Sequence, residues 1–331
     1  MILDGAAPDA IQRAVRALAA GELVAFPTET VYGLGADAGS DTAVARIFEA
    51  KGRPSDHPLI VHVGGEAGVS RFASEVPPFA HRLMQAFWPG PLTLILPRRP
   101  DVGTAAAGGQ ASIGLRCPAH PVAQALLAAC EAAVPPIRGL AAPSANKFGR
   151  VSPTTAEHVR SEFGDGLLVL DGGACRVGIE STIVDCTRGA PVLLRPGVLT
   201  RGQVEAACGE PLLDPGDLEG SGPRASGTLE SHYAPHARVR LMDANALQIA
   251  LDVLGADAAD IATYSRAILR TKSNRVLRRR MPDDAVETAR QLFAVLRDFD
   301  KQGVKLIWIE SPPDTPEWEG VRDRLRRASA S

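Results

Sequence analysis

Hydrophobic positions recur along this chain in two rhythms, and glycine and proline stand at the joints between them. Over residues 9–20, Ile11, Val15 and Leu18 fall on one helical face. Asp9 reads as the N-cap and Gly21 as the stop. Residues 42–50 repeat the pattern with Val44, Ile47 and Phe48, and Gly52 closes the helix. Residues 121–132 read as a third helix. Thr154 and Glu157 form a capping box for a fourth, running to Phe163. Short apolar runs at 23–26, 59–63, 92–96, 113–116, 167–170, 182–184 and 192–194 read as strands. Strands and helices so mixed predict an α/β domain with a mixed sheet.

The texture breaks after residue 207. Residues 208–237 are rich in Gly, Pro and Ser, carry no period, and read as a linker. Alternation then resumes. Strands are expected at 239–242, 261–264 and 304–310, and helices at 244–254, 284–300 and 320–328. The expected organisation is a first domain over 1–207, a linker over 208–237, and a small βα domain over 238–331.

Two polar loops interrupt the first domain. Pro27-Thr28-Glu29-Thr30 follows a strand-like run. Lys51-Gly52-Arg53-Pro54 follows a helix-like run, and Asp56-His57-Pro58 leads into the next strand. Loops at strand ends with preset backbone and mixed polar groups are where binding sites tend to sit.

Composition narrows the chemistry. A net charge of −2 gives no global pull toward nucleic acid or anionic membrane, so any RNA contact must come from a local patch. No apolar run approaches the ~20 residues of a membrane span, and the first residues lack a signal-peptide pattern. The 5 cysteines are scattered, with no CxxC. A reduced, cytoplasmic setting is expected, without a disulfide framework or structural zinc. Arginine outnumbers lysine 31 to 5, so each lysine carries more weight than each arginine. The seven basic residues between Arg266 and Arg280 are accordingly read as a solvated surface.

Familiar nucleotide and hydrolase signatures are absent: no P-loop, no GxGxxG after a strand, no GxSxG and no HExxH. His57 and His62 are poorly spaced for a shared metal, and no metal site is expected. Ser144 lacks an evident His–Asp partner and reads as a hydrogen-bonding hydroxyl. Cys175 reads as an inert buried thiol. Arg116 and Arg195 each end a strand. Either alone reads as a solvated charge; together with Lys51 and Arg53 they could converge on an anion, since guanidinium suits bidentate contact with phosphate or carboxylate.

Seven motifs occur in a fixed order: FPTETVYGLGADA, KGRPSDHPL, FWPGPLTLIL, GLRCPAHP, APSAN, ESTIVD and LRPG. With the HYAP core at 232–235, this series resembles the YrdC-like family and, within it, the two-domain threonylcarbamoyl-AMP synthases. The resemblance implies an open twisted mixed sheet with flanking helices, plus a small C-terminal Rossmann-like domain. It implies that L-threonine and bicarbonate form a carbamate that attacks the α-phosphate of ATP. Pyrophosphate leaves, and the product passes to the tRNA threonylcarbamoyltransferase machinery; direct tRNA contact is open. By match to the family's motifs, threonine is held by Thr30, His62, Arg116, Ala142 and Ser181. ATP is held by Arg53, His57, Ser112, Ser144, Ser152, Arg195 and, from the linker, Tyr233. Lys51 and Arg53 form the family's basic, catalytic pair, and Mg²⁺ rides on the triphosphate.

The linker departs from the family pattern, with Ser226, Leu229 and Ser231 where the family has Pro, Lys and Arg. Two other functions fit parts of the sequence: a non-catalytic double-stranded RNA or tRNA binder, and a carbamoyl-transfer module. The cysteine pattern excludes the zinc segment that accompanies the latter in hydrogenase maturation proteins.

Overall fold

A computed structural model describes every residue except Ser231 and Ser331. It divides into two compact units, one of residues 1–148 and 152–228, the other of 149–151 and 229–331.

In the first unit, β1 (Ile2–Asp4), α1 (Pro8–Ala19), β2 (Val24–Phe26), β3 (Gly33–Asp37), α2 (Asp41–Lys51) and β4 (Ile60–His62) come first. Next come α3 (Pro78–Phe87), β5 (Leu92–Pro97), β6 (Ser112–Arg116), α4 (Pro121–Glu131) and β7 (Leu140–Ala141). The unit ends with α5 (Ala156–Phe163), β8 (Leu168–Asp171), β9 (Thr182–Asp185), β10 (Val192–Arg195) and α6 (Arg201–Cys208). The strands form one mixed sheet in the order β1-β8-β2-β3-β7-β4-β6-β5-β9-β10.

Strand alternation sorts side chains to the two faces. Ala25, Leu34, Val61, Leu94, Ile113 and Leu115 share a core with Val44 and Ile47 of α2, Leu83 of α3, Val159 of α5 and Val204 of α6. On the other face, Val24, Phe26, Leu140 and Ala142 pack against Ile11 and Val15 of α1 and Leu126 of α4. That second helical layer covers only part of its face. Its continuation carries Ile60 and His62, Ser112, Gly114 and Arg116, Thr93 and Ile95, a polar surface in place of an oily one.

Several elements differ from the periodicity reading. The first helix begins at Pro8, so Asp9 lies in its first turn and Ala7 is the N-cap. Thr155, not Thr154, caps α5 by accepting the His158 N–H at 3.3 Å, and the Thr154–Glu157 box is not formed. The periodicity reading has no element at β1, β3, β7, α3, α6 or the edge strand over 277–280, although α3 opens on Pro78 and buries Phe79, Leu83 and Met84 on one face, and Thr200 and Gln203 form a capping box on α6. β3 reads as a loop because two of its five residues are glycine. A Cβ on Gly35 would come within 2.7 Å of the Phe26 ring, so the aromatic ring excludes any larger residue. The expected linker begins inside the first unit, where Leu213 bridges to Val192.

The second unit contains β11 (Arg238–Met242), α7 (Ala244–Leu254), β12 (Ile261–Ser265), β13 (Leu277–Arg280), α8 (Ala285–Lys301), β14 (Leu306–Glu310) and α9 (Glu319–Ser329). Its sheet is wholly parallel in the order β11-β14-β12-β13. Leu247 and Leu251 of α7 pack on Ile261 and Trp308. The edge strand β13 carries Arg278, Arg279 and Arg280 exposed. These arginines are matched locally, Arg279 by Asp298 at 2.8 Å and Arg280 by Asp283 at 3.1 Å.

Candidate active site

The uncovered part of the sheet face is built around β4, β6, β5 and β9. β4 and β6 run parallel with His62 opposite Arg116 and Ile60 opposite Gly114. Ser112 and Arg116 lie four residues apart on one face of β6, roughly 13 Å at ~3.3 Å per residue. That distance separates two polar groups of residues.

At the Arg116 end, the guanidinium is buried and fully directed. Nη1 donates to Thr30 Oγ1 at 2.7 Å, Nη2 pairs with Glu29 Oε1 at 2.6 Å, and Nε donates to the Gly90 carbonyl at 3.2 Å. Glu29 Oε2 accepts the Ala119 N–H at 3.0 Å, so the carboxylate is held from both sides. Thr30 Oγ1 also lies 2.8 Å from Thr28 Oγ1. His62 is buried beside this group, its ring edge-on to Phe26 at 5.8 Å. Burial, and secondarily the Arg116 charge, push the His62 pKa down to about 3. The imidazole is neutral at physiological pH, and its Nδ1 has no partner among the described residues. Ala142 sits next to it, its N–H donating to the Ile60 carbonyl at 2.9 Å.

At the other end, Ser112 lines a narrow slot of about 10 Å³ whose walls include Ile60, Thr93, Ile183 and the segment Arg224–Ser226. Two arginines reach its rim. Arg195 Nη1 donates to the Ser226 carbonyl at 2.8 Å, and Arg53 Nη2 lies 3.5 Å from Ser226 Oγ. Arg195 also donates through Nη2 to Ser181 Oγ at 3.1 Å, and Ser181 Oγ lies 2.7 Å from Thr93 Oγ1. Ser181 thus ties the arginine to the sheet. Arg53 is fixed by the Pro58 carbonyl at 2.9 Å and by the Phe148 ring, 5.7 Å from its guanidinium carbon. His57 meets the same ring at 5.5 Å, and burial followed by the Arg53 charge lowers its pKa.

Lys51 is buried behind this rim. Nζ donates to the Ser144 carbonyl at 2.6 Å and to the Asn146 carbonyl. Burial and Arg53 push its pKa well below the usual lysine value. Ser144 itself bridges to Gly33. Ser152 is buried and donates to Glu180 Oε1.

Comparison with known proteins places this arrangement. Residues 16–197 match a family model described as telomere recombination, and residues 199–330 match one described as threonylcarbamoyl-AMP synthase, C-terminal domain. A threonylcarbamoyl-AMP synthase of Pyrococcus abyssi is 40% identical, covering 93% of this chain and 91% of its own length. One from Bacillus subtilis is 39% identical over 96% of this chain and 92% of its own. The crystal structure of P. abyssi Sua5 complexed with L-threonine superposes with a TM-score of 0.87 at 38% identity, covering 96% of this chain and 94% of that one. The chain belongs to the threonylcarbamoyl-AMP synthase family.

Of the residues that the family motifs single out, Thr30, His62 and Arg116 form one group with Ala142 beside it, and Arg53, His57, Ser112 and Arg195 form the other. Ser181 bonds Arg195. Lys51 and Ser144 lie together behind the rim, and Ser152 stands on Glu180. Tyr233 belongs to the second unit. There it is buried with a left-handed φ of 62°, stacked on Phe293 at 5.5 Å and under Arg324 at 5.3 Å. Of the three linker differences, Ser226 lines the slot, Leu229 is exposed in the second unit, and Ser231 lies outside the described residues.

Residues not singled out from the sequence also shape the site. Glu29 and Glu180 sit inside quoted motifs, but nothing in a linear pattern says that they face Arg116 and Ser152. Arg224 is a linker cation outside the motifs. Its Nη1 pairs with Asp56 at 2.6 Å, and its backbone N–H donates to Gln110 Oε1 at 2.8 Å. All five cysteines are buried and unbridged, and burial raises the Cys175 thiol. Among the described residues no helix is long and apolar enough to cross a membrane.

Proposed function

We propose that this protein makes L-threonylcarbamoyladenylate and pyrophosphate from L-threonine, bicarbonate and ATP. One observation carries the reading. One sheet face holds a buried guanidinium–hydroxyl group (Arg116, Thr30) and, roughly 13 Å along the strand, a slot rimmed by two arginines. The first group suits an amino-acid carboxylate and the second a triphosphate. The likeness to P. abyssi Sua5, whose crystal structure is a complex with L-threonine, supports the first assignment.

The chemistry needs no protein nucleophile. The threonine amine adds to bicarbonate with loss of water, giving a carbamate. A carbamate oxygen attacks the α-phosphorus, and the α–β bridging oxygen leaves with pyrophosphate. The enzyme's contribution is placement and charge neutralisation. Arg116 and Thr30 orient threonine. Neutral His62 serves as a hydrogen-bond partner and carries no charge to repel the amine. Arg53 and Arg195 neutralise charge at phosphorus and on the leaving group. Lys51 holds the Ser144–Asn146 backbone in register, so its role in the basic pair is positional. Mg²⁺ arrives on the triphosphate as part of the substrate, since the slot offers cations and hydroxyls.

The relatives, named as synthases over more than nine-tenths of the chain, favour this reading over RNA binding without catalysis or carbamoyl transfer. On it, the product feeds tRNA modification by a separate transferase, and the protein works in the cytoplasm. Incubation with ATP, Mg²⁺, L-threonine and ¹³C-bicarbonate tests the proposal by mass spectrometry. The adenylate should form and carry one heavy carbon. An adenylate without the label, or none, would overturn it.

A further inference from the structure

The first unit holds a second pocket, of about 640 Å³, that shares no lining residue with the slot. It is built by strand ends and the segments beside them: Asp37 at the end of β3 and Gly39 after it, Ser70 to Phe72 after β4, Arg99 and Val102 after β5, and Pro135, Pro136 and Arg138 before β7. We propose that this pocket binds the phosphate and ribose of a nucleotide, at a site separate from the reaction.

The charge pattern points first to an anion. Arg71, Arg99 and Arg138 are exposed around one opening. Among the described residues none of the three pairs with a carboxylate. Elsewhere some surface arginines are matched, as in Arg82–Glu210 at 3.1 Å and Arg160–Glu157 at 2.6 Å, and others such as Arg13 and Arg240 have no carboxylate partner among the described residues; here three unmatched ones share one opening. Arg99 is fixed across the opening by the Ser70 carbonyl at 3.0 Å and by its own N–H to the Phe72 carbonyl at 2.7 Å. Guanidinium groups left without acids, one of them already oriented, suit the two-pronged contact that phosphate offers.

The remaining walls separate a nucleotide from a bare anion. Asp37 is the one acid in the lining, and its Oδ1 is held by the Gly39 N–H at 2.8 Å. A fixed carboxylate facing cations is an acceptor for ribose hydroxyls, the use such a residue has in dinucleotide sites. Val102, Pro135 and Pro136 supply apolar surface for a base. The volume falls within the usual range of small-molecule sites, about 300–1,000 Å³. The nucleotide's source is either a free mononucleotide or an RNA chain, which present the same phosphate and ribose.

Equilibrium binding of 5′-AMP and of a ten-residue RNA to the full chain tests the proposal. Wild type should show two classes of AMP site. Arg71→Ala with Arg138→Ala should weaken one class at least tenfold, with melting temperature and pyrophosphate release unchanged. Arg195→Ala should weaken only the other, so failure of the reaction-site reading would show separately. Asp37→Asn should weaken AMP more than inorganic phosphate. RNA that displaces AMP from the Arg71 class identifies the chain as the source, and RNA that does not identifies the free nucleotide. Unchanged AMP binding in the double variant, or loss of all AMP binding in Arg195→Ala, would overturn the proposal.

Discussion

Three side chains decide how the site behaves. Arg195 reaches Ser181 and Ser226 together. Arg195→Ala should cost about 3 kcal/mol of transition-state stabilisation, the order found for losing one preorganised donor. Steady-state pyrophosphate release measures it, and unchanged kcat/KM would remove Arg195 from the chemistry. Glu29 is the partner that makes a buried Arg116 tolerable. Glu29→Ala strands that charge and should destabilise the fold by about 3–5 kcal/mol in urea. His62 titrates in the folded state near 3, against an ordinary value near 6.5. Between those values the unfolded chain binds the extra proton, so stability falls as pH drops, by about 1.4 kcal/mol per pH unit at most. His62→Gln should lose this component, giving a shallower decline in urea midpoint from pH 7 to pH 5. Equal declines in the two proteins would contradict a buried, neutral His62.

At the scale of elements, legibility followed periodicity. The long amphipathic helices α1, α2, α7 and α8 announce themselves, because a buried stripe must repeat every three or four residues. β3 does not, because two of its residues are glycine, one of them, Gly35, crowded by the Phe26 ring. β1 and β7, of three and two residues, are too short to show a period. The same limit applies to the site. Motifs point to Thr30, His62, Arg116 and Arg195. The pairing of Glu29 with Arg116 joins a loop to a strand 87 residues away, and no local spacing encodes that. β3 also offers a test. Gly35→Ala drives a methyl against the Phe26 ring, which packs on His62. The change should cost about 1–3 kcal/mol of stability and weaken threonine binding by calorimetry. Threonine affinity equal to wild type would show that the β2–β3 packing does not set the amino-acid pocket.

Over the whole molecule, a half-covered sheet face explains the chemistry better than any single residue does. Where α1 and α4 leave the face to the polar residues of β4, β6 and β5, the two polar groups stand roughly 13 Å apart along β6. Such a site activates by placement, so every substrate must be present before phosphorus is attacked. Pyrophosphate release with one substrate omitted at a time therefore probes the site as a whole. Release is expected with ATP, Mg²⁺, L-threonine and bicarbonate together, and it should be lost when threonine or bicarbonate is withheld. Release that persists without both would refute activation by placement.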